Sequence, residues 1–218
     1  MRSLKKKRIG VLMGGFSSER EVSLRTGKAI LDSLLGSGFD AVGIDVKEDL
    51  IERLTEEKID LAFVALHGKY GEDGCVQGIL EFMGIPYTGS GVLASALSMN
   101  KLYSRMIWER AGIPVPPYRV VKKGEEFKVR FSFPVVVKPV DEGSSVGVSI
   151  ASDERELARA VREAFRYSEL ILIEKYIKGK EVHVGILNNS VLGSVEIRPS
   201  RAFYDYKAKY EPGLTEYI

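Results

Sequence analysis

Residues 134–149, Pro-Val-Val-Val-Lys-Pro-Val-Asp-Glu-Gly-Ser-Ser-Val-Gly-Val-Ser, bring together three things that phosphate chemistry needs. The β-branched run reads as a buried strand. It delivers Lys138 at its end, and a loop carrying the hydroxyls of Ser144 and Ser145 follows. Gly143 and Gly147 would let the backbone pass close to a polyanion, so that N–H groups, hydroxyls and the ammonium share its charge. A strand, a lysine and a Gly–Ser turn also recur in solvated hairpins, and on its own the stretch leaves both readings open. Lys138 resists the solvated one, because it ends an apolar strand where a free charge has no evident reason to sit.

The elements that must position this loop follow from the rest of the chain. With 218 residues, two or more cores are expected. The 32 basic and 30 acidic residues leave a net charge of +2, which gives no general field for nucleic acid or for a membrane, so anion affinity must be local. No apolar run reaches the length of a membrane span. A single cysteine, Cys75, cannot form an internal disulfide and reads as a small buried hydrophobe, in keeping with the cytoplasm. Met1–Arg8 is a solvated basic lead-in, since the apolar residues after it are too few for a signal peptide.

Ile9–Met13 reads as a first strand, Gly14-Gly15 as a tight turn, and Ser18 with Glu21 as a capping box opening a helix that ends at Gly36-Ser-Gly38. Strands at 41–46 and 61–66, helices at 50–57 and 77–83, and a strand at 85–88 continue the alternation. This predicts a Rossmann-like parallel α/β domain, with its site at the carboxyl ends of the strands. A helix over 100–111 and a stiff proline connector at 113–118 lead to a second unit. That unit holds strands at 118–121, 135–138 and 170–174 and a helix at 154–165. After Gly179 comes a hairpin turning at Asn188-Asn189, hence an antiparallel sheet, and residues 203–213 read as a loop. The divisions are 1–98, 99–178 and 179–218, the last begun and not closed.

Several segments fall in the order of one family. They are Gly14-Gly-Phe-Ser-Ser-Glu-Arg-Glu-Val-Ser23, His67-Gly-Lys-Tyr-Gly-Glu-Asp-Gly74 with Gln77 and Glu81, Asn100-Lys101, Lys138 to Gly147, Glu174-Lys175 with Gly179 and Glu181, and Tyr204-Asp-Tyr-Lys-Ala-Lys-Tyr210. Across its whole length the chain resembles the D-alanine-D-alanine ligases, ATP-grasp enzymes of peptidoglycan synthesis and hence of cell shape. The resemblance implies an α/β, overall α+β, ATP-grasp fold. It implies transfer of the ATP γ-phosphoryl group to one D-alanine, then attack on the acyl phosphate by the amine of a second. Cytoplasmic location and a homodimer are implied in the same way.

The implied roles attach to particular residues, each with a plainer alternative. Lys101 and Lys138 match phosphate-contacting lysines, with Ser144 and Ser145 in the lid over the phosphates; a solvated ammonium is the usual fate of lysine. Glu174, Lys175 and Ile177 match the adenine-binding segment and Glu181 the ribose contact, where a solvated Glu–Lys pair is the alternative. Glu19 matches the carboxylate that pairs with the first D-alanine's ammonium, against a mere helix-dipole partner. His67 matches a residue beside that substrate's carboxylate, against a histidine packed at a strand end. Lys209 would reach the transferred phosphoryl group, and Tyr210 would form a hydrogen-bonded chain with Ser144 and Glu19; a solvated loop tyrosine is the alternative. The loop pattern matches the dipeptide-making relatives and not those that make D-alanyl-D-lactate. His183 has no assigned role.

In the family, the ligands of Mg2+ or Mn2+ lie in the latter part of the third unit, and the resemblance places none of them in these residues. The 218-residue polypeptide is therefore expected to bind nucleotide weakly and not to turn over. A non-catalytic nucleotide or D-alanine binder is the alternative class; a dinucleotide-dependent oxidoreductase is disfavoured by the missing G-x-G-x-x-G.

Overall fold

Continuous apolar runs with glycine turns after them build the first sheet. The computed structural model describes residues 4–218, so the first three residues of the basic lead-in lie outside it. β1 (Arg8–Gly14), β2 (Asp40–Val46) and β3 (Leu61–Val64) form a parallel sheet in the order β2-β1-β3. The expected strand at 85–88 is reduced to one parallel bridge between Ala62 and Tyr87, because Pro86 has no N–H to continue a ladder.

Both faces of this sheet are covered. On one, α1 (Arg20–Gly36) sets Leu24, Ile30, Leu31 and Leu34 against Val11 and Met13. Gly27 allows that approach, since a Cβ there would collide with the Met13 Cβ. On the other, Leu50 and Leu54 of α2 (Leu50–Glu56) and Val76 and Leu80 of α3 (Cys75–Phe82) pack with Leu12, Ile44 and Val46. Two expectations fail here. Glu19, not Ser18, stands at the N-cap position of α1 and makes no side-chain cap bond; with Ser18 one residue outside the helix cap, no Ser18–Glu21 capping box forms. Cys75 is exposed, because α3 buries Val76, Gln77 and Leu80 and turns its first residue outward.

A helix not anticipated from the sequence, α4 (Val92–Met99), precedes α5 (Lys101–Arg110). The chain divides into two compact units, residues 1–104 and 105–218. The second unit opens on an antiparallel sheet in the order β4-β7-β5-β6, made of β4 (Tyr118–Lys122), β5 (Val135–Pro139), β6 (Ser149–Ala151) and β7 (Leu170–Lys175). α6 (Glu154–Ala164) covers one face with Leu157, Ala160, Val161 and Ala164, spaced along one helical stripe. Strand alternation then sorts the residues: Val135, Val137, Ile171 and Ile173 face α6, while Lys138, Leu172 and Glu174 lie on the opposite face.

β8 (Glu181–Leu187) and β9 (Ser190–Pro199) form the expected hairpin, with Asn188 and Asn189 both at positive φ, and β10 (Thr215–Tyr217) joins its far side. His183 is exposed on it. Residues 203–213 are not all loop. A five-residue helix, α7 (Tyr206–Tyr210), forms because the Asp205 carboxylate accepts the Ala208 amide at 2.8 Å. Burial works to raise the Asp205 pKa, but that bond and the Arg201 guanidinium outweigh it and hold the carboxyl below its ordinary value.

Candidate active site

In the first unit, serines tie the start of α1 to the strand ends. The Ser23 hydroxyl donates to the Ala65 carbonyl at 2.8 Å and accepts the Gly14 amide at 2.9 Å. The Ser17 hydroxyl donates to the His67 carbonyl at 2.7 Å and accepts the Glu19 amide at 3.1 Å. Glu19 is thereby held at 3% exposure at the carboxyl ends of β1 and β3. Its carboxylate lies against the Gly68 backbone, where an added Cβ would fall 2.8 Å from Oε2. The neighbouring His67 has Nε2 3.5 Å from the Thr26 hydroxyl and Nδ1 4.0 Å from Glu72 Oε1. Glu72 also accepts the Gly68 amide at 2.7 Å, and the Gln77 side chain donates to the Gly71 carbonyl at 2.8 Å. Glu72 and Gln77 thus shape the 67–74 loop that presents His67. Lys101 is the first residue of α5 and half-buried, on a helix whose N-terminal amides at 102 and 103 are accepted by the Asn100 side chain.

In the second unit, the loop after β5 is built by the serines more than by the glycines. Ser144 and Ser145 both have positive φ, at 45° and 61°. The turn they make closes on itself, the Val146 amide donating to the Gly143 carbonyl at 2.9 Å and the Val148 amide to the Ser145 carbonyl at 3.2 Å. Gly147, at φ 67°, serves packing as well, since a Cβ there would lie 2.8 Å from both Pro139 and the Tyr167 ring. The loop is tied to α7 and the residues before it. Ser144 Oγ lies 2.7 Å from Tyr210 Oη, and the Ser145 hydroxyl donates to the Tyr204 carbonyl at 2.9 Å. Tyr210 also meets the Tyr206 ring edge-on at 4.8 Å, and the Lys209 ammonium sits 5.2 Å over the Tyr204 ring. Burial, helped by a hydrogen bond with Tyr217, pushes the Tyr204 hydroxyl up to about 12.

Lys138 is not a free charge. It pairs with Glu174, which Arg105 of α5 also engages. Glu174 is accordingly no solvated strand-end residue: its side chain is 7% exposed. Lys175 next to it is exposed, and its amide donates to the Pro117 carbonyl at 2.9 Å. Ile177 and Glu181, both exposed, line a cleft of about 540 Å³ together with Tyr176, Lys180, Phe203 and Tyr204. Sequence reasoning missed Arg105 because nothing near it in the chain distinguishes it from an ordinary helix arginine.

The D-ala D-ala ligase C-terminus family matches residues 107–218, and the D-ala D-ala ligase N-terminus family matches residues 46–90. The chain belongs to the D-alanine–D-alanine ligase family. The D-alanine–D-alanine ligase of Citrifermentans bemidjiense is 60% identical over 215 residues, covering 99% of this chain and 70% of the relative. That of Geobacter sulfurreducens is 55% identical over 218 residues, covering 99% and 69%. Among solved structures, the ligase from Bacillus anthracis has 41% identity and a TM-score of 0.85, covering 97% of this chain and 71% of the other. The same enzyme complexed with ATP has 38% identity and a TM-score of 0.82, covering 97% and 70%. The chain therefore spans about 70% of the length of these ligases. The parallel sheet and the two antiparallel sheets are those of the ATP-grasp fold.

Proposed function

We propose that this chain works as an ATP-dependent ligase that joins two D-alanines through an acyl phosphate for peptidoglycan synthesis. The observation that carries the reading is the loop at 143–147, which follows the Lys138 strand and is bonded to α7 through Ser144–Tyr210 and Ser145–Tyr204. A carboxylate is a poor electrophile, so phosphoryl transfer must come first. Lys138, Lys101 and the loop at 143–147 are assigned the ATP phosphates, where fixed cations and donors bear the charge that develops. The cleft lined by Ile177 and Glu181 is assigned to the adenosine, with Glu174 and Lys175 at its strand end. Lys209 is assigned the transferred phosphoryl group.

Glu19 is assigned the ammonium of the first D-alanine and His67 its carboxylate. A buried carboxylate suits an ammonium, because each replaces water for the other. When the second amine attacks the acyl phosphate, the carbonyl carbon passes through a tetrahedral adduct and phosphate leaves. Tyr210, with Ser144, is assigned the proton given up by that amine.

Mg2+ or Mn2+ belongs to the same proposal on the grounds of the reaction alone. Among the described residues no three His, Cys, Asp or Glu side chains come together to hold a metal. The division into 1–98, 99–178 and 179–218 is likewise a proposal, as is a cytoplasmic site of action; among the described residues no helix is long and apolar enough to cross a membrane. A homodimer completes the proposal, with the exposed Phe16, Ile51 and Phe82 of the first unit as the apolar surface it would use.

The test is phosphate release from ATP with and without D-alanine. D-alanine-dependent release, with Glu19→Gln raising the D-alanine requirement and sparing ATP affinity, supports the reading and would overturn the expectation that these 218 residues by themselves do not turn over. Release indifferent to D-alanine contradicts it.

A further inference from the structure

Arg105, Glu174 and Lys138 do not balance in charge, and the surplus falls on a residue that the ligase reading leaves without a task. On the sheet face opposite α6, Val136 stands across from Glu174, so Lys138, two residues further along β5, is its diagonal neighbour and within reach. Arg105 reaches the same carboxylate from α5. Two cations thus meet one carboxylate, with side chains 9%, 7% and 20% exposed for Arg105, Glu174 and Lys138.

The two cations differ in how firmly they are held. Arg105 is almost out of water, its guanidinium lies 5.3 Å from the Tyr118 ring centroid, and the Tyr118 hydroxyl is itself bonded to Glu109 at 3.1 Å. Lys138 sits on a flexible stem, is more exposed, and stands where β5 runs into the 143–147 loop. A guanidinium stays charged and grips a carboxylate through a fork, whereas an ammonium is a mobile point charge.

We propose that Arg105 is a positioning residue for ATP: it holds the Glu174 carboxylate so that Lys138 can leave that carboxylate for a phosphate. The proposal rests on the reading that the second unit binds ATP. With Arg105 present, the departure of Lys138 leaves Glu174 paired. Without it, that departure would strand a buried charge, so Lys138 stays on Glu174 and the phosphates lose their cation.

The experiment is calorimetric titration of ATP into the wild-type chain, Arg105→Met, Arg105→Lys, Glu174→Gln and the double variant Arg105→Met/Glu174→Gln. Arg105→Met should weaken ATP by about tenfold or more, a typical coupling between contacting groups. Arg105→Lys should keep most of the affinity. The double variant should bind ATP within about threefold of Glu174→Gln alone, because a neutral amide no longer captures Lys138. A role for Arg105 in packing alone predicts instead that its loss costs as much in the Glu174→Gln background as with Glu174 in place, and that result overturns the proposal. Wild-type affinity in Arg105→Met overturns it as well. Should Arg105→Met not fold, the double variant against Glu174→Gln still decides. No ATP binding by the wild-type chain would remove the nucleotide reading itself, and the role of Arg105 with it.

Discussion

Two arginine–carboxylate pairs tie a helix to a strand, one in each unit, and they differ chiefly in the water around them. Arg20 at the start of α1 makes a two-pronged bond to Asp45 of β2 at 2.7 and 2.8 Å, with both side chains 37% exposed. Arg105 grips Glu174 with both side chains below 10%. Solvent screens the first pair and leaves it a modest contribution, while the second shares its carboxylate with Lys138, so that losing Glu174 would leave two cations unmatched, one of them almost out of water. Buried polar groups of the second kind are where structure and function share residues in this chain.

The largest expected effect follows from breaking the buried set at its centre. Glu174→Ala strands Arg105 and Lys138 and should cost about 3–5 kcal/mol. The check is urea unfolding followed by the fluorescence of Trp108, the only tryptophan, which stands on α5 three residues from Arg105. A loss below about 1 kcal/mol would mean that the cluster is as well screened as a surface pair.

Gly147→Ala comes next, because it combines a left-handed φ with contacts of 2.8 Å to Pro139 and Tyr167. About 2 kcal/mol of destabilisation is expected by the same unfolding measurement, with weaker ATP binding as the loop shifts. Tyr210→Phe removes the hydroxyl 2.7 Å from Ser144 and keeps the ring against Tyr206, so its stability cost should be about 1 kcal/mol. Phosphate release should fall far more than stability does; a wild-type rate in the variant would leave the Tyr210 hydroxyl with no part in the chemistry.

The smallest effect belongs to the exposed pair. The Arg20 guanidinium holds the Asp45 carboxyl below its ordinary range. A depressed carboxylate stabilises the fold above the unfolded-state value, near pH 4, and that stability fades as pH falls through the lower folded value. Asp45→Asn should therefore lower the melting temperature by about 2 °C or less at pH 7, and the gap should close below about pH 4. A gap that persists in acid would assign the effect to packing.

Much of the fold was legible because burial writes itself as pattern. Ile9–Met13 and Val135–Val137 are unbroken apolar runs, and Asn188-Asn189 names its own turn. α4 was not legible, since its cap is Gly91, with no side chain to mark the start. Nor was α7, which is too short to show a period and rests on one aspartate. The capping-box pattern at Ser18 misled by a residue because the helix begins at Arg20, which leaves Ser18 outside the cap position. Within the site, Lys138 stood out as a charge at the end of an apolar strand. Arg105 could not, because its partner is 69 residues away and only the sheet brings the two together.

The most direct test of the account is ATP titration of the wild-type chain and of Lys138→Ala, each checked first for its unfolding midpoint. Lys138 can be removed without stranding Glu174, since Arg105 remains on it, so the variant should keep its fold and lose about tenfold or more in ATP affinity. A folded Lys138→Ala chain that binds ATP as tightly as the wild type would contradict the assignment of the 134–149 stretch to phosphate.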